Sequence, residues 1–123
     1  LPGGHVEFGE PASEALQREM AEELGLSLQV GRFLGAVESA FGQADGNGSM
    51  ARRQEVNLVF ELNGEGVDPA GVVSQESHIG FEWCQVEGLM GDRPRIDLLP
   101  PGMSEVVNSE AKGCGVNWAS NWE

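Results

Sequence analysis

The segment between Pro11 and Gly25 constrains the fold of this chain more than any other, because its pattern is that of one amphipathic helix. Pro11 suits the first turn of a helix, and Gly25 is a natural C-terminal stop. Between them, Leu16, Met20 and Leu24 fall along one stripe at about 100° per residue. We therefore predict a helix that ends at Leu24 and packs through this stripe.

Three glutamates crowd onto an adjoining arc of the same helix. Glu19, Glu22 and Glu23 are spaced i, i+3, i+4, and like charges at that spacing destabilise an isolated helix by roughly 0.2–0.5 kcal/mol per pair. A solvated acidic face is one explanation, and it is the commonest one for a glutamate-rich helix. Converging carboxylates are also ligands for hard divalent cations such as Mg²⁺ or Mn²⁺, which would turn the repulsion into coordination.

Strands and loops are predicted around this helix from alternation and composition. Alternating apolar and polar residues predict strands over residues 3–9, 27–39, 54–62 and 77–86. Glycines and polar residues predict loops over residues 40–53 and 63–71. Prolines then lead to a short helix that ends near residue 107. This order predicts an α+β fold, or a mixed sheet between helices.

Composition bounds the class of protein. A chain of 123 residues with 40% hydrophobic residues suits one small globular domain. Its 20 acidic and 7 basic residues give a net charge of −13, which argues against a basic surface for nucleic acid. No apolar run is long enough to span a membrane. Cys84 and Cys114 lack zinc-site spacing, and Cys84 lies in an apolar run, where we expect it to be buried. This cysteine usage predicts a reducing, cytoplasmic setting.

The residues from Gly4 to Leu26 also follow a long spacing pattern. Written as a motif, it is G-x5-E-x7-R-E-U-x-E-E-x-G-U, in which U is a bulky aliphatic residue. The fixed positions are filled, in order, by Gly4, Glu10, Arg18, Glu19, Met20, Glu22, Glu23, Gly25 and Leu26. This pattern resembles the signature of the Nudix hydrolases, and every fixed position matches.

The resemblance implies an α/β/α sandwich around a mixed β-sheet. It also implies Mg²⁺-dependent hydrolysis of a nucleoside diphosphate linked to a further group X, with Mn²⁺ as an alternative metal. By position, the metal ligands would be the carboxylates of Glu19, Glu22 and Glu23 and the carbonyl of Gly4. Arg18 would hold the carboxylates in place, paired with Glu10. Family members often use a further glutamate as general base, and Glu76 is our candidate.

The substrate is less constrained by the resemblance. Subfamilies that hydrolyse ADP-ribose tend to carry a proline after the signature, and those that act on dinucleoside polyphosphates tend to carry a tyrosine. This chain has no proline between Pro11 and Pro69 and no tyrosine at all. A nucleoside triphosphate pyrophosphohydrolase is therefore the least contradicted activity.

The family normally has strands before the signature, whereas this chain begins at it. We therefore expect a partial Nudix domain over residues 1–107, without those strands. For the tail over residues 108–123, disorder stays an open alternative. Two alternatives to an active enzyme stay open: a module that binds nucleotide without cleaving it, and a fragment that binds only divalent metal. The expected partner is a small nucleotide, with neither nucleic acid nor membrane, and a homodimer stays open.

Overall fold

A computed structural model describes residues 1–89, 96–108 and 117–120 of the chain. It contains two α-helices, α1 (Ala12–Leu24) and α2 (Met103–Val107). Its three strands are β1 (Gln29–Ala44), β2 (Met50–Asn63) and β3 (Asn117–Ser120). Short 3-10 turns lie at Pro69–Gly71 and Val86–Leu89. The predicted α+β class is confirmed, with helices alongside a mixed sheet.

The three strands form one sheet in the order β2-β1-β3. β1 and β2 are joined by a tight turn, in which the Asp45 N–H donates to the Ser49 carbonyl over 2.8 Å. β3 runs parallel to β1, with Ala36 opposite Trp118. The sequence pattern did not predict β3, because four residues are too few to show a period. The domain boundary at residue 107 stays a prediction.

The chain divides into two units. The first comprises residues 1–32 and 60–84 and contains α1. The second comprises residues 33–59 and the described residues from 85 onward. The core of the second unit is formed by Val37, Val59, Met103 and Val106, of which Val37 and Val106 are fully buried. Each unit therefore has its own set of internal contacts.

Helix α1 ends where the sequence predicts. Gly25 adopts a left-handed conformation with φ of 66°, and its N–H donates to the carbonyl of Ala21 over 3.0 Å. This is the usual termination of a helix by glycine. Pro11 stands at the N-cap, where no side chain caps the helix. Met20 of the predicted stripe is fully buried, whereas Leu16 and Leu24 are only half-buried.

Two predicted strands are wrong. Residues 3–9 contain no strand and end in a turn, and residues 77–86 form turns and irregular backbone. In the part of the chain that the structure describes, neither segment is hydrogen-bonded to a strand, and alternation forms a strand only where a neighbour supplies the ladder. Consequently Cys84 is exposed rather than buried, and Trp83 beside it is 60% exposed.

The β1–β2 hairpin is longer than predicted. Most of the segment 40–53, predicted as a loop, belongs to the two strands, and only residues 45–49 connect them. The Asp45 carboxylate accepts hydrogen bonds from the N–H groups of Asn47 and Ser49, at 3.0 and 2.7 Å. This side chain closes the turn, so the flanking residues can continue the ladder. The strand predicted over 54–62 is confirmed within β2.

No helix among the described residues combines the length and the apolar character that crossing a bilayer requires.

Candidate active site

Arg18 is the centre of a hydrogen-bonded network on α1. Its guanidinium contacts Glu10 through two bonds, from Nη2 to Oε1 at 2.8 Å and from Nε to Oε2 at 3.3 Å. Its Nη1 donates to Oε1 of Glu19 at 2.9 Å and to Oε2 of Glu22 at 3.3 Å. Its Nη2 also donates to the carbonyl of His5 at 3.1 Å. One arginine therefore fixes three carboxylates and the backbone of the preceding segment.

The network shifts the titration of both members of its shortest ion pair. The hydrogen bonds that Arg18 donates to the carboxylates of Glu10 and Glu19 hold the pKa of Arg18 above its usual value. The Arg18 guanidinium, together with the N–H of Glu7, lowers the pKa of the Glu10 carboxyl. Glu10 therefore stays ionised in the folded chain and keeps its hold on Arg18.

Glu23 lies in a different environment from its neighbours. It is only 9% exposed, and its Oε2 accepts a hydrogen bond from the Gly3 N–H at 3.2 Å. Burial raises the pKa of the Glu23 carboxyl, and the charges of Glu19 and Glu76 raise it further. The charges of Glu19 and Glu76 therefore act on a carboxylate that is itself buried, and both disfavour its ionised form.

Gly4 approaches the same group from the segment before the helix. A Cβ atom at this position would overlap the carboxylate of Glu19. A side chain at position 4 would therefore require the end of the Glu19 side chain to move away from the backbone. The signature glycine thus has a steric reason in this structure.

Glu76 reaches this region through its loop. The N–H of Gln75 donates to the carbonyl of Glu23 over 2.7 Å, which ties the loop to the C-terminal end of α1. The Ser74 hydroxyl donates to the Glu76 carbonyl at 2.9 Å and accepts from the Glu76 N–H at 3.2 Å. The Glu76 carboxylate lies 3.4 Å from Nε2 of His78. These bonds fix the backbone from which the Glu76 side chain projects.

The described residues contain no group of three or more histidine, cysteine, aspartate or glutamate side chains arranged to hold a metal ion. Arg18 donates hydrogen bonds to one oxygen of Glu19 and one oxygen of Glu22. The Gly3 N–H donates a hydrogen bond to one oxygen of Glu23. The chemistry of the donor set nevertheless suits a hard cation, because it consists of carboxylate oxygens, and that of Glu19 lies against the Gly4 backbone. The metal-ligand assignments stay predictions.

A comparison with protein families now bears on this geometry. A family model described as NUDIX domain matches residues 1–107. The chain belongs to the Nudix family. Membership supports the hydrolysis of nucleoside diphosphate derivatives as a general activity. Nudix enzymes generally use divalent metals.

A groove of about 400 Å³ lies away from the Nudix signature in the chain order, at the β1–β2 hairpin. It is lined by Ala40, Phe41, Gly42, Met50, Ala51 and Arg52. None of the site residues predicted from the signature lines it. Arg52 and Arg53 belong to β2 rather than to a flexible loop.

The sequence did not predict three groups that contact the glutamates of the candidate site. The N–H groups of Gly3 and Gln75 are backbone donors, so no side-chain identity could reveal them. A lone histidine in a loop is more often exposed than functional, so the sequence alone does not single out His78. It is indeed exposed, but its ring lies against the Glu76 carboxylate. Its position two residues after the candidate base was the available signal.

Proposed function

We propose that the chain is an Mg²⁺-dependent pyrophosphohydrolase that cleaves a pyrophosphate bond in a nucleoside diphosphate linked to X, with nucleoside triphosphates as substrates. The observation that carries this proposal is the buried carboxylate of Glu23, which the charges of Glu19 and Glu76 also disfavour. A buried anion beside two others is unfavourable unless a cation joins them. In a Nudix chain, a divalent metal would supply that positive charge and would in turn bind the phosphates of a nucleotide.

The residues that would hold the metal are Glu19, Glu22 and Glu23, with the carbonyl of Gly4. Arg18 binds one oxygen of Glu19 and one of Glu22, so the other oxygen of each carboxylate is left for a cation. When bound, Mg²⁺ would neutralise phosphate charge and make an attacking water more acidic. Arg18 would orient the carboxylates and thereby reduce the reorganisation needed on binding.

Glu76 is our proposed general base. Its side chain is 41% exposed, which keeps it accessible to water and substrate. Its backbone is tied to the end of α1 through Gln75, and its charge acts on the Glu23 carboxylate. In this role Glu76 would accept the proton of the water that attacks phosphorus.

The substrate class rests on sequence. The chain lacks both the proline and the tyrosine that are typical of two other Nudix subfamilies. The substrate is a small nucleotide, and the net charge of −13 makes a metal bridge to its phosphates more important. Cysteine usage favours a reducing compartment such as the cytoplasm.

The test is phosphate and pyrophosphate release from a nucleotide panel in the presence of Mg²⁺. The panel contains nucleoside triphosphates, an oxidised guanine triphosphate, ADP-ribose and a dinucleoside polyphosphate. Glu23→Gln is assayed in parallel, and Glu14→Gln is the matched control, because Glu14 is an exposed glutamate in the first turn of the same helix. We expect turnover of a triphosphate in the chain and in the control, and its loss in Glu23→Gln.

The alternatives give different results. Nucleotide binding without turnover would support a binding module, and Mg²⁺ binding without nucleotide binding would support a metal-binding fragment. Equal turnover in Glu23→Gln and in the unmodified chain would rule out Glu23 as a metal ligand. Replacing Glu76 with Gln tests the base separately: a fall in kcat with unchanged Mg²⁺ binding is expected.

A further inference from the structure

Two asparagines of this chain are followed directly by glycine. Asn47-Gly48 lies in the turn between β1 and β2, and Asn63-Gly64 lies where β2 ends. Asparagine is a thermolabile residue, and a following glycine has no Cβ to hinder the reaction that converts it to an acid. Both pairs are exposed. The sequence alone therefore does not distinguish them, whereas their hydrogen bonds do.

The reaction at such a pair is deamidation, and its only co-reactant is water. The backbone nitrogen of the glycine loses its proton to solvent and attacks Cγ of the asparagine. The new N–Cγ bond forms while the Cγ–Nδ2 bond breaks, so that ammonia leaves and a cyclic imide closes. Water then opens the imide at either carbonyl, which gives aspartate or isoaspartate. The rate therefore depends on how readily the glycine nitrogen loses its proton and on how electrophilic Cγ is.

At Asn47-Gly48 the attacking nitrogen is occupied. The Gly48 N–H donates to the carbonyl of Asp45 over 3.0 Å. The Asp45 carboxylate holds the same turn by accepting from the N–H groups of Asn47 and Ser49, at 3.0 and 2.7 Å. The turn must open locally before the Gly48 nitrogen can lose its proton and attack. The folded hairpin therefore protects Asn47.

At Asn63-Gly64 the hydrogen bond is made by the group that is attacked. Oδ1 of Asn63 accepts from the N–H of Glu65 at 3.0 Å, a contact that asparagine often makes with the backbone two residues on. This donor withdraws electron density from Cγ and stabilises the negative charge that develops on Oδ1 during attack. Backbone N–H groups act in the same way on the oxyanion of acyl transfer reactions. The folded turn therefore activates Asn63.

We propose that Asn63 is the deamidation site of the folded chain and that Asn47 remains unmodified over the same period. The aspartate product keeps an oxygen that can accept from the Glu65 N–H, and it adds one negative charge to a chain that carries −13. The isoaspartate product lengthens the backbone by one atom directly after β2. The proposal does not depend on the proposed catalytic function.

The first experiment compares the two sites within one molecule. The chain is incubated at mildly alkaline pH in water labelled with heavy oxygen, which marks acids formed during the incubation. Cleavage after Arg52 and Arg53 places the two sites in separate peptides, and mass spectrometry gives both rates. We expect Asn63 to react about tenfold faster than Asn47 in the folded chain, because a hydrogen bond acts on each site in the opposite sense. In concentrated urea we expect nearly equal rates, since unfolding removes both bonds.

The second experiment removes the donor at Asn63. Glu65→Pro lacks the N–H, whereas its matched control, Glu65→Ala, loses the same carboxylate but keeps the N–H. We expect Glu65→Pro to slow deamidation at Asn63 about fivefold relative to Glu65→Ala, which is the effect of one hydrogen bond. The rate at Asn47 is expected to be the same in both variants. Circular dichroism checks that both are folded.

Three results would overturn the proposal. One is a folded chain in which Asn47 reacts as fast as Asn63, or in which neither reacts. Another is a preference for Asn63 that persists unchanged in urea, because it would then come from the sequence alone. The last is an equal rate at Asn63 in the folded Glu65→Pro and Glu65→Ala variants.

Discussion

At the scale of single residues, the site is defined by two glutamates in opposite electrostatic situations. Glu10 is held ionised by Arg18, which lowers its pKa. Glu23 is buried beside Glu19 and Glu76, which raises its pKa. The first stabilises the metal-free fold, and the second is kept in spite of an energetic cost. Residues retained at a cost to stability are typical of functional sites.

Glu23→Gln tests that cost. The substitution removes a buried charge but keeps an oxygen that can accept from the Gly3 N–H. In metal-free buffer at pH 7 we expect its Tm to exceed that of the unmodified chain, while hydrolysis falls about 100-fold or more. Calorimetry gives the Tm, with Glu65→Gln in an exposed turn as control. A lower Tm for Glu23→Gln would contradict the assignment of electrostatic strain to this carboxylate.

Glu10→Gln tests the glutamate whose ionised form stabilises the fold. A lowered folded pKa means that Glu10 stabilises the fold fully above its unfolded pKa, near 4.5, and that this stabilisation is lost as the pH falls through the folded pKa. We expect Glu10→Gln to lower Tm at pH 7, by an amount that shrinks steadily below pH 4.5. Thermal melts of both proteins across this range measure it. A Tm difference that is constant with pH would show that Glu10 acts through shape rather than charge.

At the scale of secondary structure elements, α1 depends on its ending. Gly25 has a φ of 66°, and a Cβ there would meet only the Gln75 side chain, at 3.6 Å or more. The cost of a larger residue is therefore conformational rather than steric. We expect Gly25→Ala to lower the free energy of unfolding by about 1 kcal/mol in urea denaturation.

Gly46→Ala is the matched control for Gly25→Ala. Gly46 lies in the turn of the β1–β2 hairpin, outside the left-handed region, and a Cβ there meets nothing within 4 Å. We expect it to leave the free energy of unfolding nearly unchanged. Equal losses in the two variants would mean that the left-handed cap is not what stabilises α1.

The elements also show how far the sequence determines structure on its own. α1 was predicted to within a residue, because caps and period are local properties of residues 11–25. The segment 77–86 carries an equally regular alternation, yet it forms no strand. The hairpin shows the reverse, since glycines in 40–53 indicated a loop and the pairing of β1 with β2 prevailed. Strands depend on partners that are distant in sequence, and the local pattern of one segment does not reveal whether such a partner exists.

At the scale of the whole molecule, the negative net charge makes the thermal stability depend on dissolved salt. With a net charge of −13, any salt reduces self-repulsion, so a general salt effect must be separated from a specific one. We expect Mg²⁺ to raise Tm more than NaCl at matched ionic strength. At a concentration 100 times its dissociation constant, a bound ligand adds about 2.7 kcal/mol of stability.

The control for this measurement is Glu23→Gln under the same two salts. It is expected to respond equally to Mg²⁺ and NaCl, because it retains the overall acidity but lacks the buried ligand. A chain whose Tm is the same in both salts would have no formed metal site. The signature positions and the pairing of Arg18 with Glu10 were expected from the resemblance, whereas the bond from the Gln75 N–H to the end of α1 required the structure.

The loop that carries Glu76 is attached to α1 by the N–H of Gln75, a group that every amino acid except proline possesses. Natural selection acting on this contact therefore leaves almost no trace in the side chain at position 75. Related chains are free to drift there in size, charge and polarity while keeping the same attachment. Only the absence of proline across many relatives would record it, a mark that searches for invariant residues overlook.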